Sequence, residues 1–252
     1  MKKQFQGSSN YNVYLSMLCL YVFGLISCKE HSKSTTSSLM EISEKTIIHN
    51  PIVIEVIDTA GKELHPDSLL SISQRNGLPV NSVYRWKHHM AVYGVVHELE
   101  KVLSQIRSIY PNTEIKVYQN PFYEFNRKRC GDTTTAKAWD NILLTANLVK
   151  DTALQKEYLN YHATQFEKWP EVSQGFCNAS FQQLLVYKNG RQLMLVISIP
   201  KGESLDELNP KTTENNPRVD EWNERMKKYQ EGISGTKPGE VWVFLKSVKD
   251  SI

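Results

Sequence analysis

Cysteine, net charge and long apolar runs are all scarce in this chain, and each shortage excludes a class of protein. Four cysteines in 252 residues, Cys19, Cys28, Cys130 and Cys177, are too few for a disulfide scaffold, and no spacing here suggests a metal site. The net charge is only +3, and residues 1–27 hold Lys2 and Lys3 and no acid, so the remainder carries +1. A nearly neutral surface argues against nucleic acid as a partner. The first long apolar run, residues 14–26, has about 13 residues where a helix needs ~20 to cross the hydrocarbon core, so a permanent transmembrane anchor is the weaker reading.

What is present at the start is an export layout: Met1-Lys2-Lys3, a polar stretch, the apolar run, then Leu25-Ile26-Ser27-Cys28. That tetrapeptide resembles the bacterial lipobox, in which a small residue precedes a cysteine that is lipidated and becomes the mature N-terminus. Residues 1–27 then read as a lipoprotein signal peptide, Cys28 as the lipidation site, and residues 28–46, rich in serine and threonine, as a flexible tether. The expected place is the bacterial cell envelope, anchored by lipid to a membrane on its periplasmic or surface side. Cys19 leaves with the signal. An oxidising envelope permits Cys130 and Cys177 to pair, but two cysteines make no framework, and free thiols are the preferred expectation.

Roughly 205 residues remain for folding. From residue 142 the pattern is legible. ILLTANLV (142–149) reads as a strand, and Asp151-Thr152 open a helix running to about Phe166, with Trp169-Pro170 kinking it or starting a new turn. FQQLLVY (181–187) and RQLMLVISI (191–199) flank Lys188-Asn189-Gly190, a hairpin signal. Pro217 starts an amphipathic helix over 218–230, and residues 241–245 supply a last strand. The order is β-α-β-β-α-β, a ferredoxin-like α+β unit with two helices on one sheet face, leaving the other face in need of a partner.

The first half shows strands at 52–57, 82–96 and 113–125 and a helix over 97–110 whose Leu99, Val102, Leu103, Ile106 and Ile109 share one stripe. Residues 126–138 read as a linker, so the expected domains are 47–138, a small α+β domain of unknown role, and 139–252. Either a homodimer or an intrachain pseudo-dimer would cover the bare sheet face.

In the second half, EYLNYHATQFEKWPEV (157–172), YKNGRQLMLVI, NNPRVDEWNERMKKYQ (215–230) and KPGEVWVFL (237–245) occur in that order. Together they resemble the L-rhamnose mutarotase family. The resemblance implies a dimeric α/β-barrel type of ferredoxin-like fold, a small-molecule sugar as partner, no cofactor, and interconversion of the α and β anomers of a 6-deoxy sugar. Such a reaction needs a base for the anomeric hydroxyl proton and an acid for the ring oxygen. The family has a tyrosine eight residues before its Trp-Pro-Glu and a histidine, the proton donor, four before it. Tyr161 fills the first place, but Gln165 stands in the second and cannot exchange a proton as imidazole does. His162, three residues before Gln165, is the nearby imidazole. The family's Trp-Trp pair reads Trp222-Asn223 here, and its hairpin tyrosine falls on Tyr187 or, with shifted register, Leu185.

The resemblance therefore assigns His162 and Tyr187 to catalysis and Tyr161, Gln165, Trp169, Trp222 and Asn223 to substrate, with no metal ligand. Each has a plainer reading as a core aromatic or an exposed polar residue. The function expected is a carbohydrate mutarotase, an isomerase. The alternative is a non-catalytic sugar-binding lipoprotein on the same scaffold, and a third class is a structural envelope lipoprotein. His88-His89 and QNPFYEF (119–125) also stand out, but adjacent residues of a strand point to opposite faces, which argues against a His-His metal pair.

Overall fold

A computed structural model describes residues 50–251. The signal, Cys28 and the tether lie outside the described residues. The elements follow in the order β1 (Ile52–Asp58), α1 (Asp67–Arg75), β2 (Val83–Trp86), β3 (His89–Gly94), α2 (Leu99–Ile109), β4 (Thr113–Tyr118), β5 (Tyr123–Asn126), β6 (Trp139–Leu148), α3 (Thr152–Ala163), α4 (Gln165–Lys168), α5 (Pro170–Asn178), β7 (Gln183–Asn189), β8 (Gln192–Pro200), α6 (Leu205–Leu208), α7 (Pro217–Lys227), β9 (Gln230–Glu231) and β10 (Val243–Ser247). No helix among them is long and apolar enough to cross a membrane.

The strands form one antiparallel, curled sheet in the order β4-β1-β3-β2-β10-β6-β8-β7-β5, with β9 on β6. Numbering each half's four principal strands from one to four gives 4-1-3-2 in both, the order of a split βαβ unit. The halves join where β10 pairs with β2 and where β5 extends the second half's sheet beside β7.

Strand alternation decides what each face meets. On β7, Leu184 and Val186 face the helices α3, α5 and α7, in the cluster that holds Trp169 and Trp222, while Leu185 and Tyr187 face the other way. On β8, Leu193 and Ile197 go to the helices and Met194 and Val196 to the other face. That other face is covered by the first half: Val53, Tyr84, Ala91, Tyr93 and Tyr118 pack against Leu143, Leu185, Tyr187, Met194, Val196 and Leu245. The first half's own helices bury Ile52, Ile54 and Val56 of β1 against Leu69, Ile72, Val102 and Ile106. Of the α2 stripe, Val102, Leu103 and Ile106 are buried, but Ile109 is exposed at the helix end.

Several boundaries differ from those read in the sequence. Residues 82–96 are a hairpin and not one strand, because Lys87 takes a positive φ of 49° and turns the chain between β2 and β3. The hairpin of the second half turns at Gly190-Arg191, with Asn189 paired to Gln192; Gly190 alone has positive φ, 59°, as at the first position of a type II′ turn. The helix expected through Phe166 breaks at Thr164, between α3 and α4. Asp151 does cap α3, accepting from the backbone N–H of Ala153 at 2.7 Å and of Leu154 at 3.2 Å. Cys130 and Cys177 are not free thiols: they form a disulfide that ties the segment after β5 to α5.

Candidate functional site

A cavity of about 690 Å³ opens between the second half's sheet and its helices, within the ~300–1,000 Å³ usual for small-molecule sites. Its floor is apolar, with Leu184, Val186, Leu195 and Ile197 from β7 and β8. Its polar groups come from α3 (Tyr158, His162), the turn after α6 (Asn209), α7 (Asn223, Lys227) and the segment after it (Gln230, Trp242), with Tyr123 of β5 joining them. No aspartate or glutamate lines it, so any proton acceptor has to be a nitrogen or a hydroxyl.

His162 sits in a cage of rings: Tyr158 at 4.3 Å between centroids, Tyr123 and Trp222 at 5.3 Å, and Phe122 at 5.6 Å. Its Nδ1 lies 3.0 Å from the backbone carbonyl of Tyr158, which can only accept, so Nδ1 carries the proton and Nε2 holds the lone pair. Burial lowers the His162 pKa to about 4, so the ring is neutral at physiological pH. Tyr158 is its complement. Burial raises the phenol's pKa, so the proton stays on; the hydroxyl accepts from Gln230 Nε2 at 3.2 Å, and Trp242 Nε1 donates to Gln230 Oε1 at 3.1 Å. With its acceptor side engaged, the Tyr158 hydroxyl has its own proton to give.

The residues that the sequence put forward divide. His162, Trp222 and Asn223 line the cavity. Tyr161 and Trp169 do not: they pack edge to face on Trp222, at 6.2 Å and 5.6 Å. The Tyr161 hydroxyl accepts from Arg225 at 2.8 Å, and the Arg218 guanidinium lies 3.9 Å from the centre of the Trp169 ring, so that face is not offered to a sugar. Gln165 is fully buried and used at both ends, accepting from the Tyr123 hydroxyl at 2.6 Å and donating to the Trp169 carbonyl. It ties β5 to the turn before α5. Tyr187 corrects the expectation of one convergent pocket. Its side chain lies on the face opposite the cavity, where its hydroxyl donates to the Pro51 carbonyl at 2.8 Å. Leu185, two residues away, shares that face, so neither register of the hairpin reaches the cavity.

Among the lining groups not singled out as site residues are Tyr123, Tyr158, Gln230 and Trp242. Tyr158 was visible as one of two tyrosines three apart on the helix, and Trp242 lies in the KPGEVWVFL motif, but nothing in the sequence says that β5 crosses to the second half's sheet.

These observations meet those of sequence comparison. Residues 141–249 match the L-rhamnose mutarotase family. The mutarotase-like half thus contains every group of the cavity except Tyr123, which the other half contributes. No curated protein matches the chain significantly. Among solved structures, a proposed monooxygenase from Fusobacterium nucleatum subsp. nucleatum ATCC 25586 superposes with a TM-score of 0.41 at 8% identity, covering 81% of this chain and 94% of that one. A likeness that loose carries no argument about this chain.

Proposed function

We propose that the protein is a mutarotase for L-rhamnose or a similar 6-deoxy sugar, with His162 and Tyr158 as the groups that move protons. The observation that carries this is the pairing, on one turn of α3, of a neutral imidazole with an open Nε2 and a phenol held protonated, above an apolar floor. Trp222 supplies a ring for the sugar's C–H face, Leu184, Val186 and Ile197 suit the C6 methyl, and Asn223 and Gln230 meet hydroxyls.

The anomeric hydroxyl gives its proton to His162 Nε2, the C1–O5 bond breaks, and O5 takes the proton of the Tyr158 hydroxyl, leaving the open-chain aldehyde. Rotation about C1–C2 followed by closure on the other carbonyl face returns one proton to O1 from His162 and one to Tyr158 from O5, so both groups are restored. Paired acid–base help of this kind contributes about 10²–10⁴-fold, which suits a reaction that also proceeds unaided in water. The setting we propose is the envelope, with lipid on Cys28.

The test is exchange NMR of L-rhamnose anomers with the purified protein. His162→Ala should slow the catalysed exchange by about 10²-fold or more, and Tyr158→Phe by a similar factor, while Trp222→Ala mainly weakens sugar binding. Saturable sugar binding with no exchange above background would remove the enzyme reading and leave a binding protein.

A further inference from the structure

The mutarotase-like cavity makes no use of a buried acid–base cluster where the two halves meet. Glu55, in the middle of β1, is fully buried on the face turned toward the second half. Its carboxylate accepts from His89 Nδ1 at 2.8 Å, from the Tyr118 hydroxyl at 2.9 Å and from Gln192 Nε2 at 3.1 Å to each oxygen. Gln192 belongs to β8 and is itself fixed, Nε2 lying 3.0 Å from Thr145 Oγ1 and Oε1 accepting from Lys116 at 2.7 Å. A carboxyl group taken out of water is tolerated only with hydrogen-bond compensation of this kind.

The cluster has one loose end. With Nδ1 committed to Glu55, His89 presents Nε2, and the residue is only 5% exposed with no protein partner for that atom. Leaving a buried polar group unpaired is costly, and a fold seldom accepts that without a use for it. His89 lines a second cavity, of about 560 Å³, bounded by the ends of β1 and β4 and by the β7–β8 turn.

The lining says what the cavity takes. Its two strong cations are already engaged: Lys116 by Gln192 and by Glu114 at 3.5 Å, and Arg191 by Glu231 and the Leu148 carbonyl. An anionic ligand would have no unengaged lysine or arginine in the wall. Metal is not favoured either, since no group of three or more histidine, cysteine, aspartate or glutamate side chains among the described residues could hold an ion. The other polar groups of the wall are His88, His89 Nε2, the Thr59 and Ser234 hydroxyls, the Asp58 carboxylate, whose Oδ1 accepts from the Lys62 N–H, and the side-chain carbonyls of Asn147 and Asn189, whose amide nitrogens donate to Gly232 and Val117. A wall of mixed acceptors and hydroxyls complements a molecule with several hydroxyl groups, each able to donate and to accept.

We propose that this cleft is a second binding site, separate from the helix–sheet cavity, for a small uncharged polyhydroxylated molecule, one hydroxyl of which hydrogen-bonds to His89 Nε2. Glu55, 2.8 Å from Nδ1, fixes the orientation of the ring and so where Nε2 points. The site does not depend on the mutarotase reading, because none of its residues lines the other cavity.

The experiment is a titration of the full chain, ¹⁵N-labelled at histidine, with myo-inositol and separately with L-rhamnose, following the His89 Nε2 resonance. The expected result is a saturable shift with at least one probe that persists in Trp222→Ala, where the other cavity has lost its ring. Calorimetry should show that probe binding about tenfold more weakly to His89→Phe, the loss of one hydrogen bond to a desolvated polar atom; if that variant does not fold, the wild-type titration decides. No saturable movement with either probe overturns the proposal, as does a shift abolished by Trp222→Ala. A shift produced by inorganic phosphate and by neither polyol overturns the uncharged class.

Discussion

Burying His162 among four aromatic rings has a thermodynamic signature that can be read without any substrate. In the unfolded chain the imidazole protonates near its ordinary 6.5, whereas in the folded protein burial holds the pKa at about 4. Between those values the unfolded state binds the extra proton, so stability is complete above pH 6.5, falls as the pH is lowered, and stops falling from this cause below about pH 4. At about 1.4 kcal/mol per pH unit, the gap amounts to roughly 3 kcal/mol. The perturbation is His162→Asn, which removes the titrating group but leaves a polar side chain on the same turn. Urea unfolding of both proteins at a series of pH values from neutral to 4 gives the two curves. The difference in stability between them should shrink by roughly 3 kcal/mol as the pH falls, because only the wild type loses this contribution. Parallel curves would show that His162 titrates alike folded and unfolded, and with that the neutral imidazole on which the proposed proton transfer rests would be gone.

Gln165→His, which restores the residue usual at that place in the mutarotase family, should not raise the exchange rate, since the position faces Tyr123 and the Trp169 carbonyl and not the cavity; it should cost about 1–3 kcal/mol in urea unfolding for the broken buried bonds. Reducing the Cys130–Cys177 bond, at a sequence separation of 47, should lower stability by roughly 4 kcal/mol on loop entropy, seen as an earlier urea midpoint in dithiothreitol. Gly175→Ala should destabilise by about 1–3 kcal/mol, because a Cβ there would stand 2.5 Å from the Thr212 carbonyl oxygen; an unchanged melting temperature would show that the α5 contact is soft.

The second half was legible because its periods are clean. The strands at β6, β7 and β8 alternate between a helix-facing and an interior set, and α7 buries Val219, Trp222 and Met226 on one stripe. The first half was harder for reasons visible in its residues. In α1, DSLLSISQR, only Leu69, Ile72 and Ser73 are buried, too little apolar surface for a helical stripe to show. The β2–β3 turn uses Lys87 at positive φ, where a glycine or asparagine would have signalled it. The same turn brings the His88 and His89 rings within 4.5 Å, where a continuous strand would have parted them. In the site, family spacing pointed to Trp222, which lines the cavity, but its histidine position fell on the buried Gln165 and its hairpin position on Tyr187, because spacing along a strand does not say which face is wet and which is covered by the other half.

That covering explains why the two halves read so differently yet fold together. A βαββαβ unit has one face for its helices and one left bare, and a second copy of the same order in the same chain closes it without any oligomer. The join also carries chemistry in both directions. β5 delivers Tyr123 to the ring cage of His162 and to Gln165, while β8 delivers Gln192 to the Glu55 cluster of the first half. Each half therefore completes a polar site that begins in the other. A buried imidazole or carboxyl group is tolerable only while that completion holds, so the pH dependence of His162 and the Glu55–His89 contact both report on the same interface.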